Sequence, residues 1–250
     1  MKIIISPAKS MDSETSVPIK KFSNIFFEKE SSVLNSILKK KSVDDLSSLM
    51  NISKELAELN WDRNHSWEFP FSQETHRQAI YTFNGPVFKS INPYQLESID
   101  YLQENLLILS GLYGILKPLD LIHPYRLEMG TKLSGENFKN LYDFWQEKVS
   151  CFIKDLTHKE EIILNLASEE YFKVINSKIL SRKIITPIFK ELKNGKLKTI
   201  PIYSKMARGF MVRFAWENQI KDIEQIKLFK TDGYTFDENL SNDRKIVFIR

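Results

Sequence analysis

Residues 109–130 constrain the fold of this chain most strongly, because residues that break regular structure interrupt an apolar run there. Gly111 and Gly114 lie three positions apart, two prolines follow, and charged side chains stand among apolar ones. A tight turn at glycines exposes backbone N–H groups that can approach an anion without side-chain obstruction. We therefore predict a glycine hairpin at Gly111 and Gly114, with Lys117 and Arg126 as nearby donors to an anion.

Helix-hairpin-helix elements that bind DNA use the same chemistry, and their contacts to phosphate position a protein on DNA without reading its sequence. In the usual element the two glycines are two positions apart, whereas here they are three apart. Residues 106–109 could also form a buried strand instead of the end of a first helix. The residues alone leave both interpretations open.

The distribution of apolar residues predicts one α+β domain over residues 1–250. Helices are predicted mainly in the first half and strands mainly in the second, without the regular alternation of a doubly wound sheet. Asn194-Gly195 between two apolar runs indicates a β-hairpin. Strands are predicted in the apolar run of the opening Met1-Lys-Ile-Ile-Ile-Ser-Pro and at residues 161–166, 183–189, 196–203, 225–230 and 245–250. Helices are predicted at residues 31–40, 42–50, 53–60, 73–82, 93–105, 141–153 and 204–220.

Basic residues are concentrated in one part of the chain. The formal net charge is +4, but residues 171–213 contain eleven Lys or Arg and one Glu, so this window carries +10. Such asymmetry predicts one basic face, which is either a surface for anions or nucleic acid or a solvated lysine-rich face. On the helix that starts at Ser204, Lys205 and Arg208 lie opposite an apolar face and Arg213 lies on a flank. We predict that these three cations and Lys9 line a basic cleft.

Polar residues follow two of the predicted strands. Ser6 and Lys9 follow the first strand and match the S-x-x-K pattern of penicillin-interacting serine enzymes, whose other motifs are absent. Asn165, Ser168 and Tyr171 follow the strand at 161–166, and Ser168 is also a plausible N-cap. Because ligands often bind where strands of a sheet end, these side chains could line one pocket, together with Glu128.

Several classes of site are excluded or not indicated by the sequence. One cysteine, Cys151, excludes an intramolecular disulfide and any cysteine-rich metal cluster within one chain. The histidines do not show metal-ligand spacing, so neither a metal site nor a cofactor is predicted. No apolar run approaches the roughly 20 residues that span a membrane, and the opening run is too short for a signal-peptide core. We expect a cytoplasmic protein with no membrane partner.

Five collinear motifs resemble the YaaA family of bacterial peroxide-stress proteins. The motifs are ISPAK at 5–9, LSGLYGILKP at 109–118, PYRLEM at 124–129, NLAS at 165–168 with EY at 170–171, and ARG at 207–209. The resemblance implies a single compact α+β domain of unusual topology, with a mixed sheet, many short helices, a basic cleft and a helix-hairpin-helix-like element. It also implies binding to double-stranded DNA and a cellular role in limiting damage to DNA by free iron.

The sequence and the resemblance together predict a monomeric DNA-binding protein of the peroxide response rather than an enzyme. Binding would be largely independent of DNA sequence and would weaken steeply with salt. The predicted DNA or anion contacts are Lys9, Gly111, Gly114, Lys117, Arg126, Lys205, Arg208 and Arg213. The alternative is an enzyme that acts on a small anionic or nucleotide-like substrate in the same cleft. Its pocket would use Ser6, Glu128, Asn165, Ser168 and Tyr171. Glu128 discriminates between the two, because a carboxylate hinders phosphate binding unless a cation neutralises it.

Overall fold

The apolar run at the start of the chain forms a central strand of an eight-stranded β-sheet in the computed structural model, which describes residues 1–250. The strands are β1 (Lys2–Ile5), β2 (Arg77–Gln78), β3 (Leu106–Ser110), β4 (Gly114–Leu116), β5 (Leu121–Ile122), β6 (Ile163–Asn165), β7 (Ile184–Lys193), β8 (Lys196–Lys198), β9 (Thr235–Asn242) and β10 (Lys245–Ile249). All four residues of β1 are buried, as expected of a strand that is covered on both faces.

Eleven α-helices surround the sheet. They are α1 (Glu28–Lys39), α2 (Val43–Met50), α3 (Lys54–Ser66), α4 (Ala79–Thr82), α5 (Pro86–Ile91), α6 (Asp100–Asn105), α7 (Leu141–Asp155), α8 (Glu169–Phe172), α9 (Ser177–Leu180), α10 (Pro201–Glu217) and α11 (Ile223–Ile226). A single cluster of 63 buried apolar residues connects helices and strands from both halves of the sequence, which confirms one α+β domain. No helix in the structure combines the length and the apolar composition that crossing a membrane requires.

The sheet is mixed, with a parallel centre and antiparallel edges. Its strand order is β4-β3-β1-β6-β7-β10-β9, and β8 pairs with β7. The five strands from β3 to β10 in that order are parallel, whereas β4, β8 and β9 are antiparallel to their neighbours. The carboxyl ends of β1 and β6 therefore lie side by side, and we call the border that they form the carboxyl edge of the sheet.

The helix-hairpin-helix element is not confirmed, because residues 106–116 form the two antiparallel strands β3 and β4. Their turn lies in the core and packs too tightly for side chains at the glycines. A Cβ on Gly111 would lie 2.2 Å from the carbonyl oxygen of Leu127, and one on Gly114 would lie 2.6 Å from the Trp145 ring. Gly114 also has a φ of +69°, which favours glycine. The glycines therefore allow close packing and do not present amides to solvent.

Several predicted elements differ from the structure where tertiary contacts decide the conformation. The predicted strand at 225–230 is wrong, because a capping box between Asp222 and Gln225 starts the short helix α11 there. The predicted helix at 73–82 is reduced to α4, since residues 77–78 pair with β5. The predicted helix at 93–105 is divided into a 3₁₀ turn at Pro93–Gln95 and α6. The predicted strand at 196–203 stops at Lys198, and α10 begins at Pro201, a favoured first residue of a helix.

Candidate anion-binding cleft

A cleft of about 310 Å³ opens at the carboxyl edge of the sheet, where the loops after β1 and β6 meet α5 and α10. Polar and charged side chains line it together with several apolar ones. The lining residues are Ser6 to Ser10, Gly85 to Phe88, Leu166, Ser168, Glu170, Tyr171, Lys205 and Arg208. The structure thus brings together predicted site residues from three distant parts of the sequence.

Two serines join the loops that form the cleft wall. The backbone N–H of Ser168 donates to Ser6 Oγ at 2.8 Å, and Ser6 Oγ donates to Ser168 Oγ at 3.2 Å. Ser168 is also the N-cap of α8, where its hydroxyl accepts from the backbone N–H of Tyr171. The Ser6 hydroxyl therefore has a structural role, and the S-x-x-K partner Lys9 forms its ion pair with Glu128 instead.

Two cations neutralise the Glu128 carboxylate beside the cleft. Glu128 Oε1 lies 2.9 Å from Lys9 Nζ and 3.0 Å from Arg126 Nη2. This group carries a net charge of +1, so the carboxylate does not oppose an anion in the way that an unpaired one would. The Nε–H of Arg126 is buried and has no acceptor. A small pocket lined by Arg126 and Glu128 lies next to the cleft, and the two share Pro7 to Lys9 and Tyr171 in their linings.

Arg208 is the most distinctive cation of the cleft. It is half-buried on α10 and forms neither a hydrogen bond nor an ion pair with any group of the protein. Burial lowers the pKa of its guanidinium below the usual value, because desolvation disfavours the charged form. A half-buried charge without a partner is unfavourable, and a bound anion would relieve this cost.

Close packing of two helices brings Arg208 to the cleft. A Cβ on Gly209 would lie 2.1 Å from the carbonyl oxygen of Val87, so only glycine lets α10 approach α5 this closely. Lys205 lies one turn earlier on α10, exposed at the mouth of the cleft. Arg213, predicted to be a cleft cation, instead donates to Glu217 Oε1 at 2.8 Å and to the carbonyl of Ile91 at 3.2 Å. It therefore ties α10 to the end of α5.

Of the remaining predicted site residues, Asn165 and Lys117 lie outside the cleft lining and Tyr171 lies within it. Asn165 is buried, donates to Thr186 Oγ1 at 3.1 Å and accepts from the N–H of Ala167 at 3.0 Å. Lys117 follows β4, which runs away from the carboxyl edge, and its N–H donates to Asp120 Oδ2 at 2.7 Å. Tyr171 does line the cleft, and burial raises the pKa of its hydroxyl well above the usual value.

A basic surface that was not predicted as a site lies on the ribbon of β7 and β8. Beyond the two residues that pair with β6, β7 continues for eight residues, a distance of about 26 Å. Lys193 lies directly opposite Lys196. Lys198, which lies opposite the buried Glu191, is on the same side of the ribbon, because alternate residues of a strand share a face. All three are exposed and form no ion pair. We call these three residues the lysine face.

The lysine face could have been recognised in the sequence. Asn194-Gly195 predicts a two-residue hairpin loop, and both residues indeed have positive φ, 53° and 71°. That loop fixes the register and places the flanking lysines opposite each other. Like charges at opposed positions destabilise a hairpin, so this pair lowers the stability of the ribbon.

A pair of histidines lies apart from the cleft. His123 Nδ1 is 3.3 Å from His76 Nε2, and the His76 ring stacks on Phe71. Burial, together with the nearby cationic groups of His76, Arg63 and Lys39, lowers the pKa of His123 to about 4. The His123 ring is therefore neutral at physiological pH.

Comparison with known proteins gives one consistent result. A family model described as "Peroxide stress protein YaaA" matches residues 1–240. A UPF0246 protein of Flavobacterium johnsoniae is 46% identical over 252 residues, and one of Flavobacterium psychrophilum is 48% identical over 252 residues. Both alignments cover all of this chain and all of the relative. A UPF0246 protein of Neisseria meningitidis serogroup A is 42% identical, with all of this chain and 98% of the relative covered.

Proposed function

The chain belongs to the YaaA family of peroxide stress proteins, and we propose that it acts in this response by binding the phosphates of double-stranded DNA. The contacts are the cations of the cleft and the lysine face. Because phosphate contacts carry no sequence information, binding is largely independent of DNA sequence. The proposal includes a cytoplasmic location and a monomeric state. It also includes a role in limiting damage to DNA by free iron, and the family resemblance suggests that role.

The observation that carries the proposal is the unpaired, half-buried guanidinium of Arg208, with Lys205 exposed one turn away. Guanidinium groups bind phosphate with two parallel hydrogen bonds, which suits them to DNA backbone contacts. Gly111 and Gly114 are not among the contacts, because their turn is packed in the core.

A duplex needs a broad basic surface, and the lysine face provides the second part of it. The strand β8 leads through residues 199–200 directly into α10, so the lysine face and the cleft cations lie on adjoining elements. Two-stranded β-ribbons are an established means of contacting a DNA groove or backbone. Neutralising the opposed pair Lys193 and Lys196 with phosphate would relieve their repulsion, which favours an anionic partner over solvent.

The dependence of binding on salt tests the proposal. Fluorescence anisotropy with a labelled duplex should show that log K falls linearly with log salt, with a slope of about −0.9 for each phosphate neutralised. Charge reversal of Lys205 and Arg208 together should reduce the affinity and make the slope less steep. A slope near zero for the wild-type protein, or an unchanged affinity for the double variant, contradicts the proposal.

The cellular part of the proposal needs a separate test. A strain that lacks the protein should regain resistance to hydrogen peroxide when the wild-type chain is supplied, but not when the double variant is supplied at the same level. If the variant protects the cells fully while it no longer binds DNA, DNA binding is not the basis of the protection.

A further inference from the structure

The depth and the apolar floor of the cleft are not explained by contacts to a duplex. A duplex presents its phosphates on a broad convex surface, which can contact the cations of α10, Lys205 and Arg208. The apolar part of the lining, which we call the apolar floor, consists of the partly exposed Pro7, Ala8 and Pro86 beside the buried Val87, Phe88 and Leu166. Contacts to phosphate alone require no such apolar surface.

The charges that line the cleft favour an anion. Lys205 and Arg208 have no partners, and Lys9 is shared with Glu128. The acidic group in the lining is Glu170, whose Oε1 accepts a hydrogen bond from the N–H of Gly130 at 3.0 Å. The cations therefore exceed the carboxylates in the lining, and the excess lies on α10, on one side of an apolar floor.

A ligand that fits this arrangement has a phosphate at one end and a flat apolar group at the other. A volume of about 310 Å³ is at the lower limit of small-molecule sites, which is enough for one nucleotide but not for a dinucleotide. Pro7 and Pro86, which are partly exposed, offer surfaces against which a base can pack.

We propose that the cleft binds one nucleoside monophosphate unit, with its phosphate against Arg208 and Lys205 and its base against the apolar floor. The unit is either a free mononucleotide or an unstacked nucleotide at the end of a DNA strand. The case of a nucleotide at the end of a DNA strand rests on the proposed function, because Arg208 and Lys205 then hold a phosphate of the DNA.

A series of ligands tests this inference on the wild-type chain. Isothermal titration with deoxyadenosine monophosphate, deoxyribose 5-phosphate and inorganic phosphate separates the contribution of the base from that of the phosphate. We expect saturable binding of the mononucleotide that is at least about tenfold tighter than that of the other two, because a base packed against the apolar floor removes apolar surface from water. Equal affinity for all three ligands would overturn the inference.

Two variants distinguish this inference from the proposed function. Arg208→Gln should weaken binding of the mononucleotide by about tenfold or more, which corresponds to about 1.4 kcal/mol. A Lys193→Gln and Lys196→Gln double variant should weaken duplex binding and leave the mononucleotide affinity unchanged. If the wild-type protein binds the duplex but not the mononucleotide, the inference fails and the proposed function stands. If it binds the mononucleotide but no DNA, the proposed function fails and the inference stands.

Competition identifies the source of the nucleotide. If the unit belongs to a strand, a duplex with a single-stranded overhang should bind more tightly than a blunt duplex. The mononucleotide should then displace the overhanging duplex. If the unit is a free metabolite, the blunt and overhanging duplexes should bind equally. A mononucleotide that binds but whose affinity does not change in Arg208→Gln contradicts the placement of the phosphate.

Discussion

Replacing Arg208 by glutamine removes the charge in the wall of the cleft while it leaves most of the side-chain volume in place. A hydrogen bond to a charged group contributes about 1.5–3 kcal/mol. At 1.4 kcal/mol for each factor of ten, loss of the contact to phosphate should weaken binding of a duplex by about 10- to 150-fold. Arg208 has no partner within the protein, so the free energy of unfolding should stay the same or rise.

The assay is the anisotropy of a short blunt duplex between about 50 and 200 mM salt, where counterion release dominates the affinity. Loss of one phosphate contact should also make the slope of log K against log salt less steep by about 1. The matched control is Arg244→Gln, which makes the same change in charge at an exposed position between β9 and β10, outside the cleft. If both variants lose affinity equally, the effect comes from net charge alone and the assignment of Arg208 is wrong.

Three further predictions follow from the geometry. Lys196→Glu should pair with Lys193, stabilise the ribbon by about 0.2–1 kcal/mol in urea unfolding and weaken duplex binding in the anisotropy assay. Gly111→Ala should lower the free energy of unfolding by about 1–3 kcal/mol, because the new Cβ meets the carbonyl of Leu127, without changing the duplex affinity of the folded protein. Because the pKa of His123 is about 4 in the folded state, below its unfolded value, its neutral ring contributes stability that is complete above about pH 6.5 and is lost as pH falls toward 4. In urea titrations at pH 7.5 and about 5, His123→Asn should therefore lose less stability on acidification than the wild-type protein.

Local signals in the sequence predicted the elements whose conformation depends on near neighbours. The predicted helices at 42–50 and 53–60 begin with Ser42 and Ser53, a residue type that favours the N-cap, and in the structure their side chains accept from Asp45 N–H and Leu56 N–H. Asn194-Gly195 was predicted as a hairpin loop and forms one. Residues 106–116 could not be assigned in this way, because the same apolar run suits a strand or a helix until its partner β1 is known.

The candidate site was predictable to the extent that it depends on strand order. Ser6 and Ser168 follow β1 and β6, and because these strands are parallel neighbours the two loops leave the sheet together. The wall that α5 supplies was not predictable, since residues 85–88 have no polar or charged side chain that would indicate a binding site. Its position depends on the contact between Gly209 and the carbonyl of Val87, a long-range approach that only the folded structure reveals.

The basic window of the sequence divides in the structure into cations with internal partners and cations without them. Arg182 donates to the carbonyls of Lys154 at 3.1 Å and Thr157 at 2.8 Å, so it satisfies the end of α7. Arg213 likewise has partners on α5 and on its own helix. Such cations are already stabilised by the fold, and an added anion would have to compete with their present acceptors. Arg208 and the lysine face have no such acceptors, so they can gain the full interaction with phosphate. Under the proposed function, the contacts to DNA therefore depend on the unpaired cations rather than on the charge of +10 counted along the sequence.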